Sequence, residues 1–269
     1  MTHRELASVV MTCLWLSGCG DSSAAVLSLR GAEADTRFMV PTGPGGRQFV
    51  SRGPNGWTIT VPNGIPAEAV GLTAKAVIRG DFRLEATYQI DVLEDPKLGT
   101  GSGPSLYVAS DEGAKHAAQL ARLDRPKEGS VVSTAFLFTD RNEKRRRELE
   151  FTSSEASSGR LRLERQGSVL IYSSREDDQD WNELRRVEFG QQPVSILRIA
   201  LERGGAPTPA KIHWTEIALE LKELPLSWNP NWYRRSLFLA GALVFPICLI
   251  ALWMIVDFAP GSMGGKPSS

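Results

Sequence analysis

The side chains of this sequence that could carry out chemistry are scattered carboxylates, three histidines and a set of aromatic rings. Hydrolysis of a glycosidic bond needs two carboxylates on opposite sides of a cleft. Glu85 and Asp91 lie on one predicted strand, but their spacing does not indicate such a pair, and solvated carboxylates are the favoured interpretation. His116 and His213 lack the spacing of zinc ligands. We therefore predict no catalytic residue; a role without catalysis is favoured, and the question of an enzyme stays open.

An acidic run at residues 176–180 is the candidate metal site. Clustered carboxylate oxygens can bind Ca²⁺, so Asp177, Asp178 and Asp180 form a weak predicted calcium site. The run lacks the spacing and the glycine of an EF-hand loop, and a solvated hairpin tip is the alternative. The basic run at residues 144–147 predicts another hairpin tip. No cofactor other than Ca²⁺ is expected.

Aromatic side chains could form a platform on which a sugar ring stacks. We select Trp181, Tyr172 and Tyr107 as candidate ligand-binding residues, with Trp181 first because it adjoins the acidic run. Burial in a hydrophobic core is the alternative for each of these rings.

Charge and cysteine content exclude some classes of protein. The chain has 31 basic and 31 acidic residues, which does not predict the concentrated basic surface that nucleic-acid binding requires. Cys13, Cys19 and Cys248 all lie in apolar segments at the two ends. The region between those ends therefore has no disulfide and no thiolate metal site.

The first 19 residues are typical of an export signal. An apolar stretch of about ten residues, too short to span a membrane, is followed by Ser17, Gly18 and Cys19. This junction resembles the lipobox of bacterial lipoproteins, and that resemblance implies that Cys19 is lipidated. An ordinary cleaved signal, or a segment that stays in the cytoplasm, is the alternative. A linker at residues 20–37 follows.

The uninterrupted apolar run at residues 236–256 predicts a transmembrane helix, since about 20 residues cross a ~30 Å hydrocarbon core. Arg234 and Arg235 end the preceding linker at residues 224–235, whereas the tail at residues 257–269 has only Lys266. The positive-inside rule would place the main domain in the cytoplasm, but the rule weakens for long domains. We predict a single-pass protein of the cell membrane with its main domain outside the cytoplasm.

Alternation of apolar and polar residues over residues 38–223 predicts an all-β domain, an antiparallel sandwich or jelly roll. The clearest run places Phe82, Leu84, Tyr88 and Ile90 on a buried face. Residues 112–123 are ambiguous between helix and strand. Further strands are predicted at residues 56–61, 70–78, 106–108, 131–138, 159–164, 168–173, 184–189, 194–201 and 211–221.

Three segments resemble concanavalin A-like lectin/glucanase sandwiches: GDFRLE at residues 80–85, SGRLRLERQG at 158–167 and LRRVEFG at 184–190. In overall character the chain is most similar to an uncharacterised family of exported bacterial proteins, a domain of unknown function with this sandwich. The resemblance covers roughly residues 64–223 and implies a two-sheet jelly roll. Glucanases of this superfamily carry their carboxylates as Glu-x-Asp-x-Glu, a pattern that this sequence lacks. The resemblance therefore supports the fold more than a function.

These observations predict a membrane-tethered sandwich outside the cytoplasm that binds carbohydrate or another component of the cell envelope. Its partners would be the membrane and such envelope components, and not nucleic acid. Two alternatives stay open: a glycan-acting hydrolase with unrecognised catalytic residues, and a structural module for protein–protein contact.

Overall fold

The computed structural model describes residues 39–65, 68–74, 77–110, 115–140, 142–176, 179–205 and 207–222, and the backbone of residues 25–28. Their regular secondary structure is almost entirely β-strand, as the alternation predicts. The one short helix among them, α1, spans Gly46–Phe49. The strands are β1 Ala25–Ser28, β2 Met39–Thr42, β3 Val50–Gly53, β4 Gly56–Val61, β5 Val70–Ala74, β6 Phe82–Leu93, β7 Gly103–Ser110, β8 Ala117–Arg125, β9 Gly129–Thr139, β10 Arg145–Ser153, β11 Ser158–Gln166, β12 Val169–Arg175, β13 Asn182–Glu188, β14 Val194–Glu202 and β15 Ala210–Leu221.

The strands form two antiparallel sheets. The eight-stranded sheet has the order β13-β12-β11-β6-β15-β4-β3, with β1 also paired to β15. The seven-stranded sheet has the order β10-β9-β8-β7-β14-β5-β2. Strands β6, β11 and β15 of the first sheet contact β7 and β8 of the second, so the two sheets pack face to face. The predicted all-β sandwich is confirmed.

Strand β6 shows how the sequence pattern builds the core. Phe82, Leu84 and Tyr88 point between the sheets and are at most 3% exposed. Ile90, predicted to be buried with them, is only half-buried. The next position on the same face, Val92, is 44% exposed. The C-terminal end of the strand therefore lies outside the core. The alternation of apolar and polar residues continues there, so the sequence does not show where burial ends.

The ambiguous segment at residues 112–123 contains a central strand, β8. Its alternation is hidden because residues on both faces are buried, among them Ala117, Ala118, Leu120 and Ala121. Alanine on the outer face gives no polar signal, which is the usual means of recognising a half-buried strand.

The prediction of a hairpin tip at residues 144–147 is wrong for all but its first residue. The turn closes earlier, because the Asp140 carboxylate accepts hydrogen bonds from the backbone N–H groups of Asn142 and Lys144, each at 2.9 Å. Arg145 and the two arginines after it begin β10, an edge strand whose nine residues are all exposed. Charged side chains are common on such edges, because they discourage pairing with other chains.

No helix within the described ranges is long and apolar enough to cross a membrane. The predicted transmembrane run at residues 236–256 and the predicted lipidation site at Cys19 lie outside those ranges. Both stay predictions.

Candidate ligand-binding groove

The outer face of the seven-stranded sheet carries a groove whose walls and floor are set by strand register. Tyr107 on β7 pairs with Arg198 on β14 and with Gln119 on β8. These three side chains therefore lie side by side across the sheet. Leu106 and Val108, the chain neighbours of Tyr107, are completely buried against the opposite sheet. Tyr107 itself is half-buried, which places its ring on the solvent side.

The neighbouring row consists only of small residues, and we call it the small-residue row. Register places its members next to one another on five adjacent strands: Gly71, Ala200, Ser105, Ala121 and Ser133. A Cβ atom at Gly71 would lie 2.1 Å from the carbonyl oxygen of Ile199. The floor at this position therefore tolerates no side chain. A row of short side chains beside a row of long ones leaves a depression across the strands.

A cavity of about 290 Å³ occupies this depression. Its lining includes Tyr107, Gln119, Arg198, Glu202 and Arg147. The volume lies near the lower end of the range for small-molecule pockets, about 300–1,000 Å³.

Glu202 is held by donors on three sides. The side-chain amide of Gln119 donates to one carboxylate oxygen at 2.8 Å, and the backbone N–H groups of Arg203 and Gly204 donate to the other at 3.3 Å. Of the described residues that line the cavity, Glu202 is the only carboxylate. Hydrolysis by paired carboxylates would need a second one about 5–9 Å away. The described lining thus offers hydrogen-bonding groups and a single carboxylate.

Tyr107 and Arg198 form the polar wall opposite Glu202. The Arg198 guanidinium lies 6.0 Å from the centre of the Tyr107 ring, and its Nε donates to the Thr73 hydroxyl at 3.2 Å. Burial raises the pKa of Tyr107, and the positive charges of Arg145 and Arg198 oppose that rise. The phenol therefore stays protonated at neutral pH and can donate a hydrogen bond.

One end of the groove is closed by the edge strand β10. Leu149 and Phe151 are each 38% exposed, an unusual degree for large apolar side chains on this domain. Register places Phe151 beside Ser133, at the end of the small-residue row. The Arg125 guanidinium covers the Phe151 ring at 4.5 Å. The groove thus ends in an apolar rim with a charged cover.

Comparison with known proteins places this sandwich in a family. A match to the family described as "Protein of unknown function (DUF1583) C domain" covers residues 27–225. The chain belongs to this family. No curated protein sequence matches the chain.

Solved structures agree with a concanavalin A-like fold for this DUF1583 domain. A Crh5 transglycosylase in complex with NAG has a TM-score of 0.53 at 14% identity, over 75% of this chain and 85% of that one. A β-glucanase of Bacillus licheniformis has a TM-score of 0.50 at 10% identity, over 72% and 97%. A functionally unknown protein of Saccharomyces cerevisiae has a TM-score of 0.50 at 14% identity, over 70% and 98%. The predicted resemblance to lectin/glucanase sandwiches is confirmed for the fold.

Of the three aromatic candidates in the DUF1583 domain, only Tyr107 lies in the groove. Trp181 lies just before β13, with the Arg162 guanidinium 3.6 Å and the Arg175 guanidinium 5.4 Å from its ring centre. Arg162 thus already stacks on the ring that was predicted to receive a ligand. Trp181 is half-buried and lies on the side of the sandwich that the eight-stranded sheet forms.

Tyr172 lies between the sheets and is completely buried. Its hydroxyl donates to the carbonyl oxygen of Ala135 on the opposite sheet at 3.0 Å. Burial raises the pKa of Tyr172 far above its ordinary value. A ligand could reach this ring only if the core opened, so Tyr172 is left out of the proposed binding surface.

The predicted calcium site is only partly within the described ranges. Asp177 and Asp178 lie outside them, whereas Asp180 is exposed just before β13. Among the residues that the structure does describe, no group of three or more His, Cys, Asp or Glu side chains could hold a metal ion. Calcium binding at residues 177–180 stays a prediction.

No spacing in the sequence points to Gln119, Arg198, Glu202 or Arg147. Gln119 and Arg198 alternate with apolar neighbours, as any outward polar residue does, and Arg147 lies in a run of charged residues. Only the pairing of β8, β10 and β14 within one sheet brings them together. Strand order is not encoded in any local pattern, so spacing alone gave no signal for this site.

Proposed function

We propose that this protein is a membrane-tethered sandwich outside the cytoplasm that binds a carbohydrate in the groove of the seven-stranded sheet without catalysing its hydrolysis. The observation that carries the proposal is the row of Arg198, Tyr107 and Gln119 beside the small-residue row. An aromatic face, donors and an acceptor converge there on an open depression.

This set of groups matches the chemistry of a sugar ring. Sugars present hydroxyl groups that both donate and accept hydrogen bonds, and they present apolar C–H faces that pack on aromatic rings. Arg198 and the Tyr107 hydroxyl supply donors, Glu202 supplies an acceptor, and the Tyr107 ring supplies the apolar surface. Two structures with this fold are named a transglycosylase and a β-glucanase, an analogy that agrees with glycans as the first ligand class to test.

The lack of catalysis is proposed because Glu202 is the only carboxylate among the described lining residues, and it is already hydrogen-bonded. A general acid would need a proton to give, and a nucleophile would need open access to the anomeric carbon. The hydrogen bonds from Gln119 and from two backbone N–H groups hold the Glu202 carboxylate in one position.

The membrane part of the proposal rests on sequence. We propose that residues 1–19 direct export, that residues 236–256 span the membrane and that residues 38–223 form the exported sandwich. The long apolar run is the supporting observation, because transfer of such a segment into lipid is effectively irreversible.

A matched pair of variants tests carbohydrate binding. Gln119→Ala removes a groove side chain, and Gln89→Ala removes an exposed glutamine from β6 on the other sheet. Full-length protein would be screened on a glycan array, and the best ligand titrated by calorimetry. Gln119→Ala should weaken binding about 2- to 12-fold, the worth of one net hydrogen bond, and Gln89→Ala should not change it.

Three results would contradict the proposal. Failure of the wild-type protein to bind any glycan would reject carbohydrate as the ligand. Equal loss of affinity in both glutamine variants would place binding elsewhere. New reducing ends, produced by wild-type protein and absent from the Glu202→Gln variant, would show that the protein is a hydrolase.

A further inference from the structure

The positive charge of the groove is not balanced as it is elsewhere on the domain. On the outer face of the eight-stranded sheet, arginines pair with glutamates in a ladder. Arg83 lies 3.2 Å from Glu164 and 2.9 Å from Glu220, and Arg162 lies 3.0 Å from Glu85. The arginines of β6 and β11 on this face are thus paired with carboxylates.

In the groove, the arginines lack such partners. The Arg147 side chain forms no ion pair or hydrogen bond with any residue that the structure describes. Arg198 bonds only the neutral Thr73 hydroxyl among the described residues, through Nε. Arg198 lines the cavity, and the two terminal nitrogens of its guanidinium have no hydrogen-bond acceptor among those residues. Arg125, the third arginine of the lining, is by contrast paired with Glu128 at 2.9 Å.

Glu202 forms no ion pair with either arginine, and its single negative charge offsets only one of their two positive charges. Its two oxygens are occupied by the Gln119 amide and by backbone N–H groups, all of them neutral donors. Arg145 adds to the field, since it and Arg198 both act to lower the pKa of Tyr107. The wall around the Tyr107 ring is thus rich in cationic donors, with guanidinium groups that suit the planar fork of an oxyanion.

We propose that the groove selects an anionic saccharide whose carboxylate or sulfate groups are bound by Arg198 and by Arg147. This inference rests on the proposed carbohydrate binding and names the class of sugar. A saccharide ring lies against Tyr107 over the small-residue row, and the anionic groups replace the counter-charge that the protein does not supply. A guanidinium that is already half-buried and held by Thr73 binds such a group with little further ordering.

The test compares two pairs of probes that differ only in charge. Oligogalacturonate and its methyl ester test for a carboxylate, and dextran sulfate and dextran test for a sulfate. Each would be titrated into full-length protein. At least one charged probe should bind about tenfold or more tightly than its neutral counterpart. That affinity should fall as NaCl is raised from about 50 mM to about 500 mM.

Two neighbouring arginines of β10 supply the matched variants. Arg147 lines the groove, whereas Arg146 points to the other face and pairs with Asp140 at 2.8 Å. Arg147→Gln and Arg146→Gln change the net charge equally and leave the strand exposed. Arg147→Gln should lower affinity for the charged probe at least about threefold, Arg198→Gln at least about tenfold, and Arg146→Gln should have no effect.

Different failures separate this inference from the proposed function. Equal binding of charged and neutral probes would overturn the inference and leave carbohydrate binding in place. Equal losses for Arg147→Gln and Arg146→Gln would show attraction to overall charge and would also overturn it. No binding of any saccharide would overturn both. Thermal unfolding of each variant checks that it is folded, and Arg147→Gln keeps the test valid should Arg198→Gln not fold.

Discussion

Replacing one tyrosine in the core and one in the groove by phenylalanine tests whether core and groove have been distinguished correctly. Tyr172→Phe deletes a hydroxyl that is completely buried and bonds Ala135 across the two sheets at 3.0 Å. Tyr107→Phe deletes a hydroxyl on the solvent side that bonds no described residue. The chemical change is the same, so any difference in the free energy of unfolding reports the surroundings.

The expected magnitudes follow from those surroundings. Loss of one buried, neutral hydrogen bond costs about 0.5–1.5 kcal/mol, which for a domain of this size lowers Tm by about 1–6 °C. Tyr107→Phe should stay within about 0.5 kcal/mol of the wild type, as surface changes do. A third variant, Tyr172→Ala, should cost about 3–5 kcal/mol because it also leaves a cavity.

The assay is urea or thermal unfolding of full-length protein, followed by tryptophan fluorescence. Trp57 and Trp214 are both buried and report loss of the core. Glycan affinity of the folded variants would be measured in parallel, and Tyr172→Phe should leave it unchanged. Equal stability losses in the two phenylalanine variants, or a loss confined to Tyr107→Phe, would refute the assignment of Tyr172 to the core.

Four other perturbations have defined outcomes. Leu84→Ala should lower the free energy of unfolding by about 2–5 kcal/mol because Leu84 is fully buried. Gln89→Ala on the same strand should lower it by less than about 0.5 kcal/mol, as measured by urea unfolding. Equal losses would mean that the two faces of the strand are misassigned. Burial acts to raise the pKa of Glu164, but hydrogen bonds and charge from its arginine partner prevail, and the pKa lies below its ordinary value of 4.5. The ionised form therefore stabilises the fold above about pH 4.5 and this stabilisation disappears as the pH falls, so Glu164→Gln should be less stable than wild type at pH 7 and approach it at low pH in unfolding experiments; a gap that is constant with pH would contradict the ion pair. Cys19→Ala should abolish lipid labelling yet leave the protein in the membrane fraction, and release of the variant into the soluble fraction would contradict the proposed anchoring. Alkaline phosphatase fused after residue 221 should be active, and an inactive phosphatase beside an active cytoplasmic reporter would reverse the proposed topology.

The sequence predicts the sandwich where one face of a strand is wet and the other buried. Phe82, Leu84 and Tyr88 alternate with charged residues, and their strand lies where the pattern puts it. Strand β8 escapes the same reasoning because its outer alanines are buried beneath the groove. Strand β10 escapes it because its first residues, from Arg145 onward, resemble a basic turn more than an edge strand.

The candidate site is less predictable for a physical reason. Tyr107 could be selected because aromatic rings are few. The same reasoning selects Tyr172, which lies in the core. Nothing local distinguishes Arg198 from any other polar residue of a half-buried strand. Its role depends on β14 pairing between β5 and β7, which sets it beside Tyr107. Such pairing depends on packing between distant segments and is specified by no single stretch of sequence.

The most direct test of the central claim is a crystal structure of the protein with a bound oligosaccharide, chosen as the tightest ligand from the glycan array. Electron density for the sugar is expected over the small-residue row, with a sugar ring against Tyr107 and polar contacts to Arg198 and Gln119. A sugar bound instead on the eight-stranded sheet, at Trp181 or elsewhere away from Tyr107, would contradict it.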